Sequence, residues 1–250
     1  MANENRLKAW PGTNIAKRIA VKDIQDLERL LLEYHRLYPE HLPHGVKGVL
    51  PADKTDDFFM ATDGKGLFWF AEMEYKGFNS RTDLLGGFAA IKAGNDLTRN
   101  EEYALEMLWH EIWHNRQPGI VQILKLDEID PRRLLVETIN QYISRKTYSG
   151  FIERLGGKAI HKDWVMENGY GYKKQVARLR MVFAELGIQD EIVGDLFNIN
   201  THHDLVHAHR MLADAVSKKK GINKSQLMPL FLSVSMGAVF TGLWDELNPI

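Results

Sequence analysis

The stretch from Thr98 to Gln117 constrains this chain most, because it holds a helix start and two side chains able to share one ion. Thr98-Arg99-Asn100-Glu101 has the form of a capping box, in which the threonine and the glutamate each satisfy a backbone N–H of the first turn. A helix is predicted from there to about Arg116, before Pro118-Gly119. Inside it runs Leu108-Trp109-His110-Glu111-Ile112-Trp113-His114, an HExxH string. Residues four apart lie on one helical face, so the imidazoles of His110 and His114 can point at a single ion. Glu111 lies about 100° further round the helix, beside such an ion, where a carboxylate can act as a base toward an activated water. Ala104, Leu108 and Ile112 make a separate apolar stripe expected to pack on a sheet.

Composition limits what can complete such a site. The chain has no cysteine, which excludes disulfides, thiolate nucleophiles and cysteine-held metals, so any ion rests on His, Asp or Glu. With 250 residues, 44% hydrophobic and 26% charged, it can bury a substantial core as a soluble globular protein. A net charge of −1 offers no electrostatic basis for binding nucleic acid or an anionic membrane. Met1 to Arg6 has no apolar segment behind a basic start, so no signal peptide is read and a cytoplasmic location is expected.

An amphipathic helix is predicted over 22–38 from Ile24, Leu27, Leu30, Leu31, Tyr34, Leu37 and Tyr38. Aromatic and aliphatic stretches from Leu67 to Tyr75 and from Leu84 to Lys92, bordered by glycines, read as sheet. Beyond residue 98 the pattern is helical. Asp130-Pro131 opens a helix over roughly 131–148, and others are expected near 171–186, 202–218 and 225–247. The predicted fold class is α+β: an N-terminal lobe, 1–117, with a small twisted sheet and the HEIWH helix, then a helical C-terminal lobe, 118–250.

Zinc with an open catalytic position needs a third protein ligand, and Glu137 is the best candidate. It follows His114 by 23 positions, on the next helix, among Leu134, Leu135, Val136 and Ile139. One zinc ion per chain is therefore expected, with Glu137 supplied by the C-terminal lobe.

The HEIWH helix followed by a glutamate on a second helix resembles the gluzincin branch of the zincin metallopeptidases, over roughly residues 65–150. That resemblance implies a zincin-like fold, His110, His114 and Glu137 as zinc ligands, and Glu111 as base and proton shuttle in peptide-bond hydrolysis. It also implies an extended peptide or protein substrate on the strand before the active-site helix, placed within Leu84–Lys92. The chain departs from thermolysin itself, carrying Val136 and Gln141 where that enzyme has Asn and Asp around its ligand glutamate. Gln117 and Ile120 stand where the metzincin pattern needs glycine and histidine, and the cysteine ligand of peptide deformylases is missing.

Oxyanion stabilisation needs a further donor. Tyr172 and His161 are the candidates, with Tyr148 and Tyr170 also downstream. His203 and His207 would share a face of a helix over 202–218, an alternative source of a metal ligand. From Leu227 to Trp244 there are 18 residues without a charge, read as a buried helix or subunit contact, with a membrane anchor as the alternative. The competing functional reading is a non-catalytic interaction protein that keeps a zincin-like fold, membrane-associated through 227–244.

Overall fold

The computed structural model describes residues 14–52 and 58–247. These residues are mostly helical and carry a small mixed sheet, an α+β composition. The chain divides into two compact units, one made of residues 1–115 and 146–165, the other of 116–145 and 166–250.

In the first unit, α1 (Ile15–Arg18) and α2 (Ile24–Leu37) precede β1 (Gly48–Pro51), β2 (Met60–Thr62) and β3 (Leu67–Phe70). Asp23 caps α2 by accepting from the backbone N–H of Asp26 at 2.9 Å. β3 is central, parallel to β1 and antiparallel to β2. Phe68 and Phe70 point from it into the core, with Leu67 and Trp69 on the other face, as strand alternation requires. A hairpin of β4 (Glu74–Tyr75) and β5 (Phe78–Asn79) follows, turning at Lys76 and Gly77, both with positive φ. Two successive left-handed residues are what a tight hairpin turn demands.

The stretch Leu84–Lys92, predicted as strand, is instead helical: α3 spans Ser80–Ala93. Its ends explain why. Asn79 accepts from the backbone N–H of Thr82 at 2.8 Å, Asp83 accepts from that of Asn79 at 2.7 Å, and Gly94 closes the helix in the left-handed region. Gly86 and Gly87, which argue against a helix by propensity, serve packing here. A Cβ on Gly87 would lie 3.2 Å from Leu105 Cδ1 and 3.3 Å from Glu101 O, so the missing side chains let α3 approach the next helix closely. With α3 helical, Leu84–Lys92 cannot serve as a substrate-bearing edge strand.

That next helix, α4 (Arg99–Asn115), starts and ends where the capping box and Pro118-Gly119 predict. Thr98 N donates to Glu101 Oε2 at 2.7 Å and Glu101 N to Thr98 Oγ1 at 3.2 Å. Every residue from Glu102 to Asn115 is buried. Glu102, wholly buried, accepts from the Tyr148 hydroxyl and from the backbone N–H groups of Ile160 at 2.9 Å and His161 at 3.0 Å. Burial and the Glu102 carboxylate push the Tyr148 phenol far above its usual range. Trp109 stacks on Phe151, and the indoles of Trp109 and Trp113 both donate to Thr147 Oγ1, at 2.8 and 3.3 Å.

The second unit begins with α5 (Ile120–Ile123). α6 (Pro131–Leu155) starts in this unit and finishes in the first. Asp130 accepts from the backbone N–H of Arg132 at 2.8 Å at its start, and it runs on past the predicted end to Gly156, whose φ is positive. There follow α7 (Lys162–Asn168), α8 (Lys173–Glu185), α9 (Val193–Asn200), α10 (Ala208–Lys220), α11 (Lys224–Leu232) and α12 (Gly237–Leu247). The predicted helix over 225–247 is thus interrupted at 233–236, where Ser233 Oγ bonds back to Leu230 O at 2.8 Å and Arg178 donates to Val234 O. Among the described residues no helix is long and apolar enough to cross a membrane.

Two outcomes test these packing assignments. Thr98→Ala should lower stability by about 1 kcal/mol in urea unfolding, the usual worth of an N-cap; an unchanged midpoint would mean that the box contributes nothing. Burial pushes the Tyr142 phenol up to about 12. The unfolded chain ionises near the ordinary tyrosine value of about 10, so above it U holds fewer protons than N. Stability from Tyr142 is therefore full below pH about 10 and falls by about 1.4 kcal/mol per pH unit as pH rises toward 12. Tyr142→Phe should flatten that alkaline loss in pH-resolved unfolding.

Candidate metal centre

His110 and His114 occupy the last two turns of α4, one helical turn apart, and both are buried. Their Nε2 atoms face each other at 2.9 Å. Two imidazole nitrogens this close need a proton or a cation between them, because two lone pairs repel. A tetrahedral ion with bonds of about 2.05 Å would hold them about 3.3 Å apart. The observed separation is within a few tenths of an ångström of that figure.

Glu137 is buried on α6, and with His110 and His114 it forms a group whose ligand atoms all lie within 4.8 Å of one another. Among the described residues this is the group of His, Asp and Glu side chains able to hold a metal ion. The donor set, two nitrogens and one carboxylate oxygen, suits a borderline divalent ion and leaves a fourth position of a tetrahedron open. Two neutral imidazoles and one carboxylate cancel half of such an ion's charge and leave net positive charge in a buried place. That is a setting in which developing negative charge is stabilised.

Glu111 is buried on α4 and stands outside the ligand group, one residue from His110. Burial of Gln141, one turn beyond Glu137, keeps an amide near the ligand-bearing turn of α6.

The other candidates are distributed differently. His161 directs Nε2 to Leu97 O at 3.0 Å, and its backbone N–H is held by Glu102. Glu102 is two helical turns before His110, about 12 Å along the axis, so His161 is anchored at the opposite end of α4 from His114. Tyr148 is likewise bound to Glu102. Tyr172 caps the start of α8 in the left-handed region, with φ +49. The loop before it is gripped by the buried Arg145, which donates to Gly169 O at 2.9 Å and Gly171 O at 2.5 Å. A tyrosine in that backbone conformation is strained, and Arg145 supplies the restraint that holds it.

The expected helical pair His203 and His207 does not form. Residues 201–204 are irregular, and 205–207 make one 3₁₀ turn that leads into α10. His207 Nδ1 bonds Asp204 Oδ2 at 2.7 Å and the Asp204 backbone N–H donates to His202 Nδ1 at 3.0 Å, so these side chains organise their own turn.

Sequence reasoning missed two sets of buried polar residues. Glu102 and Glu106 precede His110 at spacings of four and are wholly buried, a periodic signal readable beside the HExxH string. Asn200, bonded to both Gln117 and Asn140, left no such signal, since its partners lie far away in sequence. Comparison with protein families, with curated proteins and with solved structures finds no match.

Loaded with zinc and desalted, the protein should carry about one ion per chain by elemental analysis, and His110→Ala should carry none. Well-folded protein that takes up no metal would remove the site.

Proposed function

We propose that the chain is a zinc-dependent peptidase of gluzincin-like, zincin type, with His110, His114 and Glu137 as ligands and Glu111 as catalytic base. The observation that carries this reading is the group of three buried N and O donors inside 4.8 Å, two on the HExxH helix α4 and one on α6. The spacing within α4 accounts for the fourth residue: a carboxylate one position after the first histidine lies beside the ligand face.

A bound zinc ion would polarise the scissile carbonyl and acidify the attacking water. Glu111 Oε takes the proton of that water as its oxygen bonds to the carbonyl carbon. The same carboxyl then hands the proton to the amide nitrogen as the carbon–nitrogen bond breaks, which frees an amine and a carboxylic acid. Burial of Glu111 keeps bulk water from competing for that proton. Tyr172, on the loop that Arg145 restrains, is the candidate donor to the oxyanion.

Glu111→Gln keeps the shape of the side chain and cannot accept the proton. It should retain zinc and lose on the order of 10²–10⁴-fold in cleavage of a peptide library followed by mass spectrometry. Undiminished cleavage by this variant would take Glu111 out of the role.

A further inference from the structure

Three buried amides form a chain in the second unit. Gln117 Nε2 donates to Asn200 Oδ1, and Asn200 Nδ2 donates to Asn140 Oδ1 at 3.0 Å. Gln117 and Asn140 are 0% exposed and Asn200 is 1% exposed, so water does not substitute for these bonds. The order is directional: Gln117 gives through nitrogen, Asn200 receives through oxygen and gives through nitrogen, and Asn140 receives through oxygen, which fixes the orientation of the central amide.

The positions of the two outer members matter. Gln117 follows His114 by three residues, in the turn where α4 has ended. Asn140 follows Glu137 by three residues, one turn along α6. Asn200, the last residue of α9, therefore bridges the segments that trail two of the three donors in the candidate metal group.

A second observation places the same restraint on the same turn. Gly119 sits so close to the backbone after α9 that a Cβ there would lie 2.5 Å from His203 O and 3.1 Å from His202 O. The 117–119 turn is thus held by side-chain bonds at Gln117 and by close backbone approach at Gly119, both from the end of α9. Glycine is required at 119 for that approach.

We propose that Asn200 is a positioning residue for the metal ligands: through Gln117 and Asn140 it sets the turn after His114 against the ligand-bearing turn of α6. This rests on the metal-site reading above. Groups that orient ligands without touching the ion commonly govern metal affinity by 10–100-fold. A merely structural clasp would change stability and leave affinity for zinc alone.

The test measures zinc affinity by competition with a chromophoric chelator, and melting temperature without and with zinc, for the parent and for Asn200→Leu, Asn200→Asp and Val216→Ala. Val216 is buried in α10, so its truncation supplies a destabilised control outside the amide chain. The expected result is a zinc dissociation constant raised about 10–100-fold in both Asn200 variants, and a smaller gain in melting temperature on adding zinc. The control should melt earlier with its affinity and its zinc-induced gain unchanged. Asn200→Asp keeps the size and an acceptor oxygen while removing the N–H given to Asn140, so it carries the test if the leucine variant does not fold. Parent-like zinc affinity in a folded Asn200 variant would overturn the positioning role while leaving the metal site standing. A parent that binds no zinc overturns the metal-site reading and the positioning role with it.

Discussion

The burial of α4 on all sides governs the first unit and the candidate site together. From Glu102 to Asn115 every residue of this helix is buried, yet six of them are Glu, His or Asn. Polar groups taken out of water must find partners or cost more than the packing returns. Glu102 meets this by gathering the Tyr148 hydroxyl and two backbone N–H groups. His110 and His114 meet it by turning their Nε2 atoms toward each other and grouping with Glu137. An apolar helix of the same length would satisfy packing with less demand. The polar residues make sense together if one end of α4 is built for anchoring and the other for an ion.

That division also explains how the helix is held in place. The capping box at Thr98 and Glu101 defines its start, and the paired glycines of α3 let a neighbouring backbone come within contact of Glu101 and Leu105. The two indoles that share Thr147 flank the histidines in sequence, Trp109 before His110 and Trp113 before His114. Each histidine therefore follows a large side chain that is itself fixed, which limits how the helix can rotate. Under the proposed peptidase function such rigidity keeps the donors close to their working positions without reorganisation.

Much of this was legible because it is local. The helix carrying HEIWH, its capping box and the four-residue spacing of its histidines all follow from relations within one or two turns. The same holds for Asp130-Pro131 at the start of α6. The error over Leu84–Lys92 was also local in origin: aliphatic and aromatic content between bordering glycines reads as strand, although Asn79 and Gly94 mark the ends of α3, whose interior holds Gly86 and Gly87. Those glycines look helix-breaking until the neighbouring helix is known to need their space. The predicted helices over 202–218 and 225–247 were too long because local side-chain bonds, from Asp204 to the His207 imidazole and from Ser233 back to Leu230 O, accompany breaks in the helical run.

By itself the sequence determined that an ion could only be held by His, Asp or Glu, that His110 and His114 share a helical face, and that Glu137 lies on a later helix, that opened by Asp130-Pro131. The physical reason is that helical periodicity and side-chain chemistry are set by nearest neighbours. Only the tertiary structure decided that Glu137 reaches the histidines to within 4.8 Å, that His161 is tied to Leu97 and Glu102, and that Asn200 bridges Gln117 and Asn140. Those relations join residues from 23 to 83 positions apart, and they depend on how the intervening chain packs.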